Sequence, residues 1–384
     1  MAEQRIGEHV RRWRVIRGLS QAEVARRAGL SRLGVQKIEK GLSAPRAATL
    51  HKLALALDVR LSDLMRPVST PKGVRFRAHK KMARRDNVLA EVSLLLDDLN
   101  ELEQITGDKV PYRLRRLTEE LVSIPPGRER AILAAERTRS ELGLSREEPI
   151  RDICGLIEAA GIKLVLVRLS SDGFFGLSVS EESGGPAIVV NVWERISVER
   201  WIFTTAHELG HLLLHVDAYD VDKVEEDGNE EKEANVFASH FLMPEPVFSK
   251  EWEEARGLPL VDRVFKMKRM FHVSYRTVLF RLIENGTYDT TLWRRFHAAY
   301  RTRTGKSLSI LDEPAALSAD FFLASNGLAS EEPERLTEAD FVPERKHALV
   351  RRALEDGLIS LGRAAELLRL DLSQMRQLVA GWQT

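Results

Sequence analysis

Features of exported and membrane proteins are scarce in this sequence. One cysteine, Cys154, stands among 384 residues, which excludes an internal disulfide and a cysteine-based zinc site. No apolar run approaches the roughly 18 residues of a membrane-spanning helix, so no membrane partner is expected. The charged N-terminus has no signal-peptide core, and the expected compartment is cytoplasmic. Repeats of fixed period and low-complexity tracts are missing, which argues against a solenoid. Net charge is nearly absent at +1, while 43% apolar and 30% charged residues give an ordinary globular balance. The length allows two or three domains.

The near-zero charge hides a division. Residues 1–85 hold 21 Lys and Arg against 6 Asp and Glu, a net of +15, and the remainder is −14. Such a split predicts a nucleic-acid-binding front joined to a different module.

Residues 4–65 read as five short helices. Ser20 followed by Glu23 forms a capping-box pattern, Gly29 marks a helix end and sharp turn, and Ser31 can cap the next helix before Gly41 ends it. Two short helices joined this way make a helix-turn-helix. Residues 68–127 read as a basic linker and helical connector, with an amphipathic helix over 87–105. Helices at about 128–142 and 150–160 precede strand-like runs at 162–169, 174–179 and 187–192. Helical patterns resume at about 198–216 and 229–242. The rest is mostly helical, with a polar interruption near 326–336. Cys154 sits in an apolar helix and reads as an inert core residue.

The sharpest motif is His207-Glu208-Leu209-Gly210-His211. Histidines four apart share one helix face and can reach one zinc ion. Glu208 can approach a bound water from the side, as a general base does. A third ligand and an open fourth position are required. His215 lies a further turn along, about 6 Å up a straight helix, and reads as structural. A second helix supplies Glu230, Glu231 and Glu233.

His207-Glu208-Leu209-Gly210-His211 through His215, followed by Glu231-Lys232-Glu233-Ala234-Asn235 and Leu242-Met243-Pro244, resembles the ImmA/IrrE family of zinc metallopeptidases over about residues 128–285. The resemblance makes Glu231 the third zinc ligand. Asn235, one turn away, then supports the site from behind a ligand. Glu230 and Glu233 point to other faces and are expected to be solvated, and His240 receives no role. Residues 4–65 are similar to the XRE/Cro–C1 helix-turn-helix domains, which lay their second helix in the major groove. That likeness implies that Arg32, Leu33 and Lys37 face bases and that Gln21 touches a phosphate. It also implies that Arg14 and Glu39 form a buried ion pair. Periodicity puts Val35 and Ile38 on the opposite, core-facing side.

The expected architecture is multidomain, mainly α with a small β-sheet. An all-α helix-turn-helix domain (1–67) and the connector (68–127) precede an α+β zincin-like metallopeptidase domain (128–285) and a helical C-terminal region (286–384). That last region is expected to pack or self-associate. The expected function is a transcriptional regulator, in a stress-response setting, whose zinc peptidase domain hydrolyses a peptide bond in a regulatory protein, in trans or in itself. The expected partners are double-stranded DNA, a repressor or other regulatory protein as substrate, and a second copy of the chain. The alternative is a non-catalytic repressor or antitoxin whose metal domain senses a signal. Tyr219, Tyr275 and a histidine are candidates for steadying the oxyanion, and nothing in the sequence selects among them. The acidic stretch 217–233 is either a docking surface for the basic front or a solvated loop.

Overall fold

Cap residues shape the front of the chain in the computed structural model, which describes residues 2–59, 61, 64–65, 74–78, 85–171, 173–216, 227–309, 311–323 and 334–382. Four helices lead: α1 (Ala2–Ile16), α2 (Gln21–Ala28), α3 (Arg32–Glu39) and α4 (Ala47–Leu57). The Ser20 hydroxyl accepts the Glu23 N–H at 3.2 Å, and Glu23 accepts the Ser20 N–H in return at 3.0 Å. Gly29 then turns the chain in the left-handed region at φ 63°, which costs a residue without Cβ nothing. Val24, Val35, Ile38, Leu53 and Leu57 bury the inner faces of α2, α3 and α4. Of the fifth helix read before residue 65, the described residue Leu64 lies in a short 3-10 turn, its N–H donating to the Leu61 carbonyl at 3.2 Å.

The segment 68–127 differs from a simple linker. Val74–Ala78 forms strand β1, followed by α5 (Arg85–Thr106) and α6 (Arg115–Val122). Next come α7 (Arg128–Glu141), α8 (Ile153–Ala159), β2 (Lys163–Val167), β3 (Phe174–Val179), β4 (Ala187–Asn191), α9 (Val198–Leu214) and α10 (Gly228–Leu242). The four strands make one mixed sheet in the order β1-β3-β4-β2, with β2 parallel to β4 and the other pairs antiparallel. Basic composition hides β1 because Arg75 and Arg77 alternate with Val74, Phe76 and Ala78.

Both sheet faces are covered. Leu164, Ile188 and Val190 point to a core shared with α8, α9 and α10. The alternate residues Val165, Val167, Leu177, Val179 and Val189 point to a second core, as a strand's two-residue period requires. α5 closes that second core, together with the end of the chain. After α11 (Glu245–Glu254), α12 (Leu260–Phe271), α13 (Tyr275–Glu284), α14 (Leu292–Thr304) and α15 (Asp320–Leu323), the chain returns as α16 (Arg345–Glu355), α17 (Leu361–Leu367) and α18 (Leu372–Gly381). Leu349, Val350, Ala353, Ala364 and Met375 of this return pack with Val92 and Leu96 of α5. The C-terminal region is therefore part of the layer that covers the sheet. Buried Glu103 of α5 ties the layers together, holding Lys163 of β2 at 3.3 Å and Arg345 of α16 at 3.5 Å. α1 in turn sits on α5: the Arg12 guanidinium donates to Asp97 at 3.1 Å and to the Ala90 carbonyl at 3.0 Å.

α9 is buried all round, and two glycines permit it. A Cβ on Gly176 of β3 would lie 2.6 Å from Thr204, and one on Gly210 would lie 2.9 Å from the Phe237 ring. The helix thus lies directly on the sheet on one side and on α10 on the other. Near its start, Glu199 accepts from Lys268 of α12, and Lys268 also holds Glu313 at 2.9 Å. Burial, partly offset by Lys268 and reinforced by Glu199, pushes the Glu313 carboxyl up to about 7. Between the unfolded value of 4.5 and about 7, the native chain keeps a proton that the unfolded chain has released. Stability from this group is therefore present below that window and is lost as pH rises through it. Glu313→Gln cannot ionise and keeps an acceptor for Lys268. It is expected to remove on the order of 2–3 kcal/mol of the stability lost on going from acid to neutral pH. Thermal melts across that range check it, and parallel decline of wild type and variant would refute it.

Candidate metal centre and DNA-binding face

His207 and His211 come from the middle of α9, one turn apart, and Glu231 from the first turn of α10. The two Nε2 atoms lie 2.9 Å apart. The Glu231 carboxylate reaches His207 Nε2 at 3.3 Å and His211 Nε2 at 3.1 Å. All three offered ligand atoms fall within 4.8 Å of one another. Tetrahedral zinc with bonds of about 2.0–2.2 Å has edges of about 3.4 Å, so this donor set fits the ion. The histidines are fully buried, and Glu231 is slightly exposed at 14%. Burial pushes the Glu231 carboxyl up, but the hydrogen bonds and charges of the two histidines outweigh it and hold it well below the usual carboxylate range.

The far sides of both rings are engaged. His207 Nδ1 lies 3.0 Å from the Asn235 side-chain oxygen. That oxygen can only accept, so Nδ1 carries the hydrogen and Nε2 presents its lone pair to the centre. His211 Nδ1 lies 2.9 Å from His215 Nδ1, and His215 Nε2 lies 3.0 Å from Glu233. Glu233 accepts two bonds from Arg130, at 2.7 Å each, and one from the Gly127 N–H at 3.0 Å. A carboxylate at the end of the chain fixes the direction: His215 donates to Glu233, His211 donates to His215, and His211 Nε2 is left as a lone pair. Burial acts to raise the Glu233 carboxyl, while Arg130, His215 and the Gly127 N–H bring it down to about 2.

Glu233 is therefore buried, at 5% exposure, and not solvated as its sequence position suggests. α10 begins at Gly228, so Glu233 falls on its second turn, facing α7 and Arg130. His215 ends α9 as its C-cap, with its ring between His211 and Glu233. It is no ligand, and it links His211 to Glu233. Nothing in the local sequence pairs Arg130 with Glu233 across about a hundred residues. A second residue missed from sequence is Ser178, whose hydroxyl donates to Glu208 at 2.9 Å. Gly176 and Ser178 are the small residues of β3 that face α9, an alternation that marks where a helix lies close.

Of the other readings, Tyr275 is a core residue stacked on Phe296. Tyr219 and residues 217–226 of the acidic stretch lie outside the described residues. His240 bonds Glu284 at 3.2 Å. Cys154 is buried, which raises its thiol. A cavity of about 920 Å³ adjoins the His215–Glu233 side of the centre.

On the front domain, Arg32, Leu33 and Lys37 are exposed on α3, while Val35 and Ile38 are buried beneath them. Arg14 pairs with Glu39 at 2.6 Å, the ion pair that the resemblance implies. The Gln21 amide donates to the same Glu39 at 2.6 Å, so it is held at the start of α2 by an internal bond.

Comparisons with known proteins agree with this division. The helix-turn-helix family profile matches residues 10–64, and that of the IrrE N-terminal-like domain, a peptidase M78 family, matches residues 158–283. An uncharacterized HTH-type transcriptional regulator, y4dJ of Sinorhizobium fredii, is 38% identical over 71 residues, 18% of this chain and 92% of that protein. The chain belongs to the helix-turn-helix transcriptional regulators and carries an IrrE N-terminal-like domain. The His207, His211 and Glu231 cluster, which could hold a metal ion, falls inside the second match, and the exposed face of α3 inside the first. No helix among the described residues is long and apolar enough to cross a membrane.

Proposed function

We propose that the regulator is a zinc-dependent endopeptidase as well as a DNA-binding protein, and that it cleaves a peptide bond in a regulatory protein, either a repressor in trans or itself. The convergence of His207, His211 and Glu231 beside Glu208 carries this reading. Zinc held by the three would polarise the scissile carbonyl and acidify a water. Glu208 takes the proton of the attacking water and passes it to the leaving amine. Ser178 donates to one carboxylate oxygen of Glu208 and so keeps the other turned toward its task. Asn235 and the Arg130–Glu233–His215 chain hold both imidazoles in the ligating tautomer. Glu208→Gln, which keeps the shape and the bond from Ser178, is expected to lose at least 100-fold in hydrolysis of a cleaved repressor. Measurable cleavage at the wild-type rate would remove the assignment.

A second reading, a metal domain that senses and cleaves nothing, draws on the near-complete burial of His207, Glu208 and His211. In that case no substrate is cleaved by wild type, and Glu208→Gln regulates like wild type.

At the other end, α3 enters the major groove with Arg32, Leu33 and Lys37 toward the bases, a homodimer placing two such helices on a two-fold operator. Arg32→Ala is expected to weaken binding at a specific site by about 1–3 kcal/mol and to relax base preference there. Quantitative footprinting of Arg32→Ala and Lys37→Ala checks this, and wild-type affinity in both would show that α3 is not the reading helix.

A further inference from the structure

Beside the outer edge of β2 lies a cavity of about 640 Å³, enclosed by α5, β2, residues 338–343 and the start of α16. None of His207, Glu208, His211 or Glu231 lines it. Its size is that of a small-molecule site. The walls are largely apolar: Leu95 and Leu99 of α5, Leu166 of β2, Trp201 and Phe341. Val342, 48% exposed, marks its rim.

The charges in its lining do not cancel. Arg168 is matched by Glu338 at 2.6 Å, and Arg369 by Glu91 at 3.0 Å. Asp98, whose charge also acts on Lys346, is bonded to Arg363 at 3.0 Å. Lys346 makes no hydrogen bond or ion pair among the described residues, and burial pushes its ammonium down to about 8 despite Asp98. Burial and the neighbouring Lys346 lower His347, which keeps it neutral near pH 7. One ammonium with no bonded partner among the described residues thus stands at the edge of an apolar chamber, with Asp98 acting on it only from a distance.

We propose that this cavity binds a free monoanionic amphiphile, a carboxylate on an unbranched alkyl chain, with the carboxylate on Lys346 and the chain between Leu95, Leu99 and Phe341. A single ammonium without a bonded partner calls for one negative charge, which favours a carboxylate over a doubly charged phosphate. The apolar walls call for a tail and exclude a small hydrophilic acid.

Titration of decanoate into the full-length protein, followed by calorimetry, tests the assignment. Wild type is expected to bind saturably at one site. Lys346→Gln is expected to weaken binding at least tenfold, and Lys346→Arg to restore it. Decanol, with the same chain and no charge, is expected to bind at least tenfold more weakly than decanoate. Ala339→Trp, which fills the chamber from an exposed turn, is expected to block decanoate. Absence of saturable binding to wild type, wild-type affinity in Lys346→Gln or Ala339→Trp, or equal affinity for decanol and decanoate would overturn the proposal.

Discussion

Purified after growth with zinc, the protein is expected to carry about one zinc ion per chain, and His207→Ala, His211→Ala or Glu231→Ala almost none. Each substitution removes one of three donors that meet within a few ångströms, and two donors do not retain the ion through purification. Glu208→Gln is expected to keep the full complement, because Glu208 faces Ser178 and stands outside the donor set. Glu230→Ala serves as the control from the same turn of α10. Glu233→Ala does not, since Glu233 bonds His215, which bonds His211. Metal analysis of the five variants decides the matter. Full zinc in Glu231→Ala would place the third donor elsewhere.

Arg130→Met is expected to cost about 3–5 kcal/mol of stability, the loss that follows when one partner of a buried ion pair is removed. Both side chains are almost wholly buried, at 5% and 4% exposure, so the stranded Glu233 carboxylate is poorly solvated once the guanidinium is gone. Zinc affinity is expected to fall about 10–100-fold in the same variant, because His211 loses its fixed tautomer through His215. The double variant Arg130→Met, Glu233→Leu separates the two effects. Removing both charges is expected to recover most of the stability while the zinc affinity stays low. Thermal melts and competition with a metal chelator measure them independently. Unchanged zinc affinity in Arg130→Met would show that the chain behind His211 does not orient it.

Much of this was legible in the sequence wherever the signal is local. The capping box at Ser20 and Glu23, the turn at Gly29 and the spacing of His207 and His211 are contained within a few residues, and each forms as that spacing predicts. The three strands after residue 160 were legible because β-branched runs end at glycine and serine turns. The misses depend on distant partners. Strand β1 is specified by pairing with β3, about a hundred residues later, and its arginines resemble a linker. Glu233 looks solvated beside Glu230 and Lys232, and only the approach of α7 supplies Arg130. Likewise, the role of α16, α17 and α18 depends on a sheet face that α5 covers in part. The amphipathic pattern of α16 shows that it is covered, not by what.

The internal commitments of α1 bear on how binding to DNA responds to salt. Each phosphate neutralised by a protein cation releases counterions, and the slope of affinity against salt counts those contacts at about 0.9 per phosphate. The front segment's net charge of +15 overstates that count. Arg12 is spent on Asp97 and Ala90, Arg14 on Glu39, and Arg17 on the Leu57 and Asp58 carbonyls at the end of α4. These three guanidiniums join the helices to one another and to α5. The steepness of the salt response is therefore expected to count fewer cations than the net charge does, while these three set how firmly the helix-turn-helix is held.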